Sequence, residues 1–221
     1  MKIILSGPSG VGKDTLIDAW IEFNPRVKKT ITATTRPPRQ GEINGVSYHF
    51  YSLEEMQLRI DNDEFLEHMN VFGHIYGTPK SSVDKVVAEG GVAIIRVDVQ
   101  GALELIPKMK DAISVFILPP SMEELKKRIV GRKSESKEEI EERLNTASAE
   151  IMCSFFYDNQ IINDDISEAI RQLEAMLSGE IFENVDLADE CMRETLNEYT
   201  LTKMNSFLNL AEKTGICAED S

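Results

Sequence analysis

A glycine-rich segment near the amino terminus carries the clearest chemical signal in the sequence. It lies between an apolar run and a helical pattern at Leu16 to Phe23. Glycines let successive backbone N–H groups converge on phosphate oxygens, and the N-terminus of the following helix adds a favourable dipole. Lys13 can then reach the β- and γ-phosphates of a nucleotide. We predict a phosphate-binding P-loop made of Gly7, Pro8, Ser9, Gly10, Val11, Gly12, Lys13, Asp14 and Thr15.

Position 14 departs from the usual P-loop pattern. Asp14 stands where the motif normally offers a Ser or Thr hydroxyl to Mg²⁺. A carboxylate is also a hard oxygen ligand, so one interpretation is an altered Mg²⁺ site at Asp14. The other is that Asp14 only stabilises the helix N-terminus and points away from the ligand. The sequence leaves both interpretations open.

A second group of residues could bind another phosphate and a base. Arg36 and Arg39 lie three positions apart in a proline-stiffened segment, so two guanidinium groups can be directed at one dianion. Tyr48 and Tyr76 could add neutral hydrogen-bond donors. Glu67 offers a carboxylate that can accept from two N–H donors of one ligand. Taken singly, each could instead be a surface charge, a core aromatic residue or a solvated strand residue.

The elements around these residues predict an α/β fold. Apolar runs at Lys2 to Ser6, Val92 to Val97 and Ile113 to Leu118 are each followed by a turn and by helical periodicity. That alternation is typical of a parallel sheet. A last strand is predicted at Gln160 to Asn163, before a helix that ends near Gly179.

Capping-box spacing marks three helix starts, at Ser52 with Glu55, Ser121 with Glu124, and Ser136 with Glu139. Between residues 34 and 79 the pattern changes to proline, glycine and aromatic residues, which predicts an inserted, mostly β subdomain. The segment 132–142 is almost entirely polar and charged, so we expect a mobile surface flap.

Several ordered motifs together resemble the guanylate kinase family, over about Lys2 to Gly179. Besides the P-loop and Arg128 they are TTRPPR (34–39), GEINGVSYHF (41–50), EFLEHMNVFGHIYGTP (64–79), VDVQGA (97–102), ILPPS (117–121), GR (131–132), RL (143–144) and NDD (163–165). The resemblance implies a three-layer P-loop kinase fold with a central parallel sheet, an inserted, mostly β nucleotide-monophosphate-binding subdomain and a helical lid. The implied domain is 1–179, with its core at 1–33, 80–120 and 146–179, the subdomain at 34–79 and the lid at about 121–145.

The resemblance also implies the substrates and the roles of individual residues. ATP with Mg²⁺ is the expected phosphoryl donor, and GMP or dGMP is the expected acceptor. Asn163 is expected near the adenine of ATP, and Lys13, Arg36, Arg128, Arg132 and Arg143 are the expected catalytic residues. The acceptor is expected to contact Thr32, Arg36, Arg39, Tyr48, Glu67, Tyr76, Thr78 and Asp98.

Two positions depart from the family pattern. Thr32 stands where the family usually has Ser, which keeps the hydroxyl and adds a methyl group to the guanine pocket. In the predicted strand Ala93 to Val99, Arg96 replaces an acid that the family generally has two residues before Asp98. Asp98 remains the candidate for a polar role near the acceptor or the metal, and Arg96 could add a phosphate contact.

Composition and charge narrow the class of protein. The chain has 221 residues and a formal net charge of −14, so its surface should repel nucleic acid and anionic lipid. The apolar run at Ile3 to Leu5 is too short for a signal peptide or a membrane span. Cys153, Cys191 and Cys217 show neither metal-ligand spacing nor a disulfide framework. We therefore expect a cytoplasmic protein with no nucleic-acid or membrane partner.

The extension at 180–221 differs from the rest of the chain. Residues 181–221 contain nine acids and three bases, and an apolar stripe at helical spacing predicts a helix. The stripe comprises Val185, Ala188, Met192, Leu196, Tyr199, Met204, Phe207 and Leu208. Such a stripe must be covered, either by the helix packing on its own domain or by a homo-oligomer interface.

Two other functions remain alternatives. Guanylate-kinase-like domains of scaffolding proteins bind phosphopeptides without catalysis, and a P-loop kinase could phosphorylate another phosphate ester such as a ribose bisphosphate. Lys13 and the lid arginines argue against the first alternative, and the pattern that reads guanine argues against the second. His49, His68 and His74 lack ligand-like spacing, so we interpret them as structural or incidental.

Overall fold

The computed structural model describes residues 1–71, 73–130, 137–182 and 198–214. The strands are β1 (Lys2–Ser6), β2 (Val27–Lys29), β3 (Ala33–Thr34), β4 (His49–Phe50), β5 (Phe65–Val71), β6 (His74–Pro79), β7 (Val92–Arg96), β8 (Ala112–Leu118) and β9 (Asn159–Ile162). The helices are α1 (Lys13–Phe23), α2 (Leu53–Asp61), α3 (Lys80–Ala88), α4 (Val99–Leu105), α5 (Met122–Val130), α6 (Lys137–Met152), α7 (Ile166–Met176) and α8 (Glu198–Thr214), with a 3₁₀ helix at Cys153–Phe156.

A five-stranded sheet has the order β2-β7-β1-β8-β9. The pairs β2–β7 and β8–β9 are parallel, with Val27 opposite Val92 and Val115 opposite Asn159. Strands of such a sheet are apolar throughout because helices cover both faces, and Ile3, Ile4 and Leu5 are accordingly fully buried. The predicted α/β class with a central parallel sheet is confirmed, and the strands predicted at residues 2–6, 92–97, 113–118 and 160–163 each lie within one residue of those bounds.

The chain forms two compact units, of which the first comprises Met1–Ile3 and Pro25–Arg96. This unit contains a four-stranded sheet of order β4-β3-β6-β5, in which β5 and β6 are antiparallel. Ser52 begins α2 as predicted, since its hydroxyl accepts from the N–H of Glu55 at 3.0 Å. A small core fills the unit, formed by Ala33, Met56 and Phe65 with Tyr51, Ile60 and Ile75 against it.

The second unit comprises Ile4–Asn24 and Val97–Ser221. Its glycine-rich loop connects β1 to α1. Glu174 of α7 forms hydrogen bonds with two residues at the carboxyl end of α1. The carboxylate of Glu174 accepts from the indole N–H of buried Trp20 and from the Asn24 amide, the latter at 2.9 Å. Ser121 begins α5 as predicted, because its hydroxyl accepts from the N–H of Glu124 at 3.2 Å. The third predicted cap, Ser136, lies outside the described residues.

The predicted strand Ala93 to Val99 was wrong at its carboxyl end. The strand β7 ends at Arg96, and α4 begins at Val99 with Asp98 as its N-cap. The Oδ1 atom of Asp98 accepts from the N–H of Gly101 at 2.8 Å. An aspartate that satisfies a free helix N–H outweighs the strand preference of the two valines that flank it.

The helix α8 of the extension packs on the second unit itself, against α4, α6 and the 3₁₀ helix. Phe207 and Ala211 of α8 are buried, whereas Leu208 is 36% exposed. Of the predicted apolar stripe, Val185, Ala188, Met192 and Leu196 lie outside the described residues. Within the described ranges, no helix is apolar over enough residues to cross a membrane.

Candidate active site

The glycine-rich loop between β1 and α1 requires its glycines. Gly7, Gly10 and Gly12 have φ angles of +146°, +87° and +92°, which residues with a Cβ rarely adopt. A Cβ on Gly7 would also collide with the carbonyl oxygen of Ile117. A Cβ on Gly12 would lie 2.9 Å from the Asn163 amide nitrogen. The loop backbone therefore lies directly against its neighbours, a placement that only glycine permits at these positions.

Lys13 is the first residue of α1 and lies folded against the loop. Its ammonium group donates to the carbonyl oxygens of Gly7 and Pro8, the latter at 3.0 Å. These bonds hold the positive charge at the start of the loop, beside the N-terminus of α1. Both features favour an anion at this end of the helix.

Arg128 and Asn163, both predicted from the family resemblance, are brought to the loop by α5 and by the end of β9. The Nη1 atom of Arg128 donates to the carbonyl oxygens of Val11 at 3.2 Å and of Asn163 at 3.1 Å. The Asn163 amide donates to the same Val11 oxygen at 2.8 Å. Glu124 orients the guanidinium, since its carboxylate accepts from Arg128 Nε at 3.1 Å. The two predicted residues therefore meet at Val11.

The helix α6 brings two side chains to Ser9 of the loop. Arg143 Nη2 donates to the Ser9 hydroxyl at 3.0 Å, and Glu150 Oε2 accepts from the Ser9 N–H at 3.3 Å. Arg143 was predicted, whereas Glu150 was missed. A spacing of seven residues puts both on one face of a helix, and this spacing is the signal that could have found Glu150. Arg132 lies outside the described residues.

The environment of Glu150 differs from that of a surface glutamate. Loss of hydration raises the pKa of its carboxyl group to about 7, and the Asp98 carboxylate acts in the same direction. Lys13, the Ser9 N–H and Lys203 of α8 oppose that shift of the pKa. Glu150 is therefore poised to change its charge near neutral pH.

In the first unit, Arg36 is held on several sides. Its Nη2 donates to both oxygens of Glu42, at 2.8 and 3.0 Å, and its Nε donates to the Tyr76 hydroxyl at 3.2 Å. Its guanidinium carbon lies 5.5 Å from the centre of the Tyr48 ring. The structure thus brings together three predicted residues, Arg36, Tyr48 and Tyr76.

Glu42 is the acidic residue of this cluster that was missed. Besides Arg36, it accepts from the backbone N–H of Arg39 at 2.6 Å, so the fourth predicted phosphate residue joins the cluster through its main chain. The hydrogen bond from Arg36, followed by that from Arg39, lowers the pKa of the Glu42 carboxyl group. An acid three residues beyond TTRPPR carries no specific signal, because acids are common in such loops.

Glu67 and Thr78 form a buried pair on the hairpin of β5 and β6. The two residues are direct cross-strand partners, and the Thr78 hydroxyl donates to Glu67 Oε1 at 2.7 Å. Their relative exposures are 9% and 1%. A buried carboxylate must be hydrogen-bonded, and Thr78 satisfies and orients one of its oxygens. Glu67 is therefore not the solvated strand residue of the alternative interpretation.

The remaining predicted residues are placed as follows. Thr32 precedes β3 and is half-buried, and its carbonyl oxygen accepts from the His49 N–H at 2.9 Å. Asp14 is exposed in the first turn of α1, followed by Thr15.

His49 is partly buried beside Tyr51. Burial lowers the pKa of its imidazole, and the positive charges of Arg59 and Lys85 act in the same direction. Among the described residues, no group of three or more His, Cys, Asp or Glu side chains could hold a metal ion.

Comparison with known proteins identifies the family. A sequence model of guanylate kinase matches residues 1–180. A guanylate kinase of Clostridium perfringens strain 13 is 45% identical over 199 residues, which cover 90% of this chain and 88% of that protein. A guanylate kinase of Caldanaerobacter subterraneus is 44% identical over 178 residues, covering 80% of this chain and 86% of that protein.

A solved structure gives the same result. The crystal structure of guanylate kinase from Anaplasma phagocytophilum is 30% identical to this chain, with a TM-score of 0.59. The match covers 90% of this chain and 88% of the solved chain. The buried Glu67–Thr78 pair, the Arg36 cluster and the glycine-rich loop are thus features of a chain that belongs to the guanylate kinase family.

Proposed function

We propose that this chain transfers the γ-phosphoryl group of ATP to GMP or dGMP, forming ADP and the guanosine or deoxyguanosine diphosphate. The observation that carries this proposal is the buried Glu67 carboxylate, oriented by Thr78. A carboxylate can accept from guanine N1–H and the 2-amino group, and adenine offers no such donor pair. A P-loop alone would leave the acceptor open, whereas this pair favours guanine.

The glycine-rich loop is the proposed donor site. Its backbone N–H groups and Lys13 bind the phosphates of ATP, and the ammonium group exchanges the carbonyl oxygens of Gly7 and Pro8 for phosphate oxygens. Arg128 and Arg143, which already contact Val11 and Ser9, neutralise charge on the transferring group. Arg132 is proposed for the same task from the family resemblance, and Asn163 for a contact with adenine.

Asp14 is the proposed protein ligand of Mg²⁺. The cation usually keeps several waters and binds one or two carboxylates together with substrate phosphates. An exposed carboxylate in the first turn of α1, one residue after Lys13, fits that donor set. Bound Mg²⁺ would offset negative charge on the β- and γ-phosphates.

Arg36, Arg39, Tyr48 and Tyr76 are the proposed ligands of the acceptor phosphate. Glu42 and Tyr76 hold the Arg36 guanidinium in a fixed orientation, so little side-chain entropy is lost when GMP binds. Thr32 is proposed to contact guanine beside Glu67 and Thr78, and Asp98 to contact the acceptor. The Asp98 Oδ1 atom already caps α4, which fixes the direction of its carboxylate.

The reaction needs no nucleophile from the protein. An oxygen of the acceptor phosphate forms a bond to the γ-phosphorus of ATP, while the bond between that phosphorus and the β–γ bridging oxygen breaks. ADP leaves with the bridging oxygen. A phosphotransferase usually contributes by positioning donor and acceptor phosphates and by neutralising their charge.

A panel of acceptors tests this function. ADP formation from ATP is measured with AMP, GMP, dGMP, UMP, TMP or a ribose bisphosphate at the same concentration. We expect ADP to form with GMP and dGMP. No ADP with any acceptor would favour a phosphopeptide-binding module, and ADP with a sugar phosphate alone would favour another phosphotransferase.

Two wider properties are also part of the proposal. A cytoplasmic location agrees with the cysteine pattern, and the charge of −14 agrees with the lack of a nucleic-acid partner. A homo-oligomer through residues 180–221 is tested by light scattering of the purified chain. A mass near 24.9 kDa would oppose it.

A further inference from the structure

The carboxyl group of Glu150 is a charged group beside the glycine-rich loop that the proposed reaction does not use. Glu150 lies near the end of α6, and its Oε2 accepts from the Ser9 N–H at 3.3 Å. The residue is partly buried, and burial of its carboxyl group removes much of the hydration of the charge. An ionised carboxyl group in that position would repel the phosphates of a nucleotide bound at the loop, so its presence there calls for a physical explanation.

Charged and titratable groups face Glu150 from four neighbouring elements. Lys13 faces it from the start of α1 and Lys203 from α8, and both attract its carboxylate. Asp98 at the start of α4 repels it. The thiol of Cys153, in the 3₁₀ helix, has a pKa raised to about 12 by burial and by Glu150, so it stays neutral. The buried phenol of Tyr157 also has a raised pKa and stays neutral.

The contacts of Glu150 are those that ATP must take over. The Ser9 N–H belongs to the loop whose N–H groups converge on phosphate, and Lys13 is the loop's cation. A carboxylate that accepts from one and attracts the other mimics a phosphate oxygen. ATP bound to the loop would take both partners from this carboxylate and place several like charges near it, and both changes would favour its protonated form.

We propose that Glu150 is a positioning residue that serves as the counter-charge of Lys13 and the Ser9 N–H before ATP binds, and that it takes up a proton when the nucleotide phosphates replace it. This inference rests on the proposed ATP site. It gives α8 a function as well, because Lys203 favours the ionised form of Glu150 in the nucleotide-free protein. The extension thereby adds a small contribution to the fraction of the protein that carries the counter-charge at neutral pH.

The direction in which the proton moves determines how ATP affinity depends on pH. A proton that is taken up on binding must come from solution, so ATP affinity falls as the pH rises through neutrality. A residue that only packs α6 against the loop would lower stability when changed, but it would leave the pH dependence of ATP affinity unaltered.

Calorimetry of the full chain measures the proton directly. ATP with Mg²⁺ is titrated into the protein at about pH 7.5, without acceptor, in buffers of different ionisation enthalpy. The slope of observed heat against ionisation enthalpy gives the protons taken up, including those of ATP itself. The matched variants are Glu150→Gln and, as control, Glu141→Gln on the exposed side of the same helix.

We expect the wild type and Glu141→Gln to take up the same number of protons, and Glu150→Gln to take up fewer. With a pKa of about 7 for Glu150 in the nucleotide-free protein, the difference reaches up to about 0.8 proton at this pH. Lys203→Met should also reduce the uptake, because more of the carboxyl group is then protonated before ATP binds.

Equal proton uptake by the wild type and Glu150→Gln would overturn the inference. If that variant does not fold, an uptake by Lys203→Met equal to the wild type would overturn it instead. If no binding of ATP to the wild-type protein is detected, that result would count against the proposed ATP site. A proton difference of zero with normal ATP binding would count against Glu150 alone.

Discussion

The carboxylate of Glu42 holds the guanidinium of Arg36 through two hydrogen bonds, at 2.8 and 3.0 Å. The same carboxylate accepts from the backbone N–H of Arg39 at 2.6 Å. One acidic side chain thus holds the guanidinium of Arg36 and the main chain of Arg39, the two arginines that we propose for the acceptor phosphate. The site therefore depends on a residue that itself repels phosphate.

Replacing Glu42 with Gln should weaken the acceptor site selectively. The amide cannot accept from Arg36 and Arg39 as strongly as a carboxylate, because charge-assisted hydrogen bonds are the stronger kind. We expect the KM for GMP to rise roughly tenfold, with the KM for ATP unchanged. Steady-state kinetics with each substrate varied in turn provide the measurement. A lower KM for GMP would show that Glu42 competes with the phosphate instead of orienting Arg36.

Replacing Gly7 with Ala should destabilise the fold. The new Cβ would meet the backbone carbonyl of Ile117, which cannot rotate away, at a φ of +146°. We expect the free energy of unfolding in urea to fall by at least about 2 kcal/mol. Gly45 is the matched control, since its φ is +77° and a Cβ added there would have no neighbouring atom within 4 Å. If Gly7→Ala loses no more unfolding free energy than Gly45→Ala, the close approach of Gly7 to the Ile117 carbonyl would be contradicted.

Replacing Asp14 with Ser tests the proposed Mg²⁺ ligand. The substitution restores the hydroxyl usual at this position and removes one negative charge. We expect the Mg²⁺ concentration that gives half-maximal activity to shift at constant ATP. The control is Asp18→Asn, a change of charge at an exposed position one turn further along α1. A Mg²⁺ titration that coincides with the wild type would leave Asp14 as a helix-terminal charge only.

Glu150 should make the stability of the nucleotide-free protein depend on pH. The pKa of its carboxyl group is about 7 in the folded protein, against a value of 4.5 for the free side chain. The folded protein thus binds this proton more tightly than the unfolded chain. The cost of ionising Glu150 appears as pH rises from about 4.5 to 7, and it is complete above that range.

Glu150→Gln should therefore gain stability relative to the wild type at alkaline pH. The difference in unfolding free energy between the two proteins should be roughly 2–3 kcal/mol larger at pH 8 than at pH 5. Urea unfolding at both values provides the measurement, with Glu141→Gln expected to show no such change. A difference that does not vary with pH would mean that Glu150 is ionised throughout this range.

Local sequence signals predicted much of the fold. The strand Lys2–Ser6 is apolar between clear boundaries, and Ser52 with Glu55 is a complete capping signal, so neither depends on distant residues. Asp98 carried two conflicting local signals. Its flanking valines favour a strand, whereas an aspartate favours the N-cap of a helix, and the cap prevailed.

The candidate site was less predictable where it depends on tertiary contacts. Arg36, Glu67 and Thr78 could be named because they belong to ordered motifs. The contact of Glu150 with Ser9 spans 141 positions, and it exists only because α6 packs beside the loop. The contact of Glu42 with Arg36 was also hard to predict, although the two residues are close in sequence. It depends on how the loop folds around Arg36, and the residue type of Glu42 alone does not indicate it.

The selectivity of Glu67 tests the central claim most directly. The ratio of kcat/KM for GMP to that for AMP should be measured in the wild type, in Glu67→Gln and in the exposed control Glu54→Gln. We predict a large ratio for the wild type and the control. In Glu67→Gln we predict a loss of about 2–3 kcal/mol of selectivity, or roughly 30- to 150-fold, because a hydrogen-bonded charge is removed from a buried site. An equal ratio in all three proteins, or no GMP-dependent ADP formation in the wild type, would contradict the account.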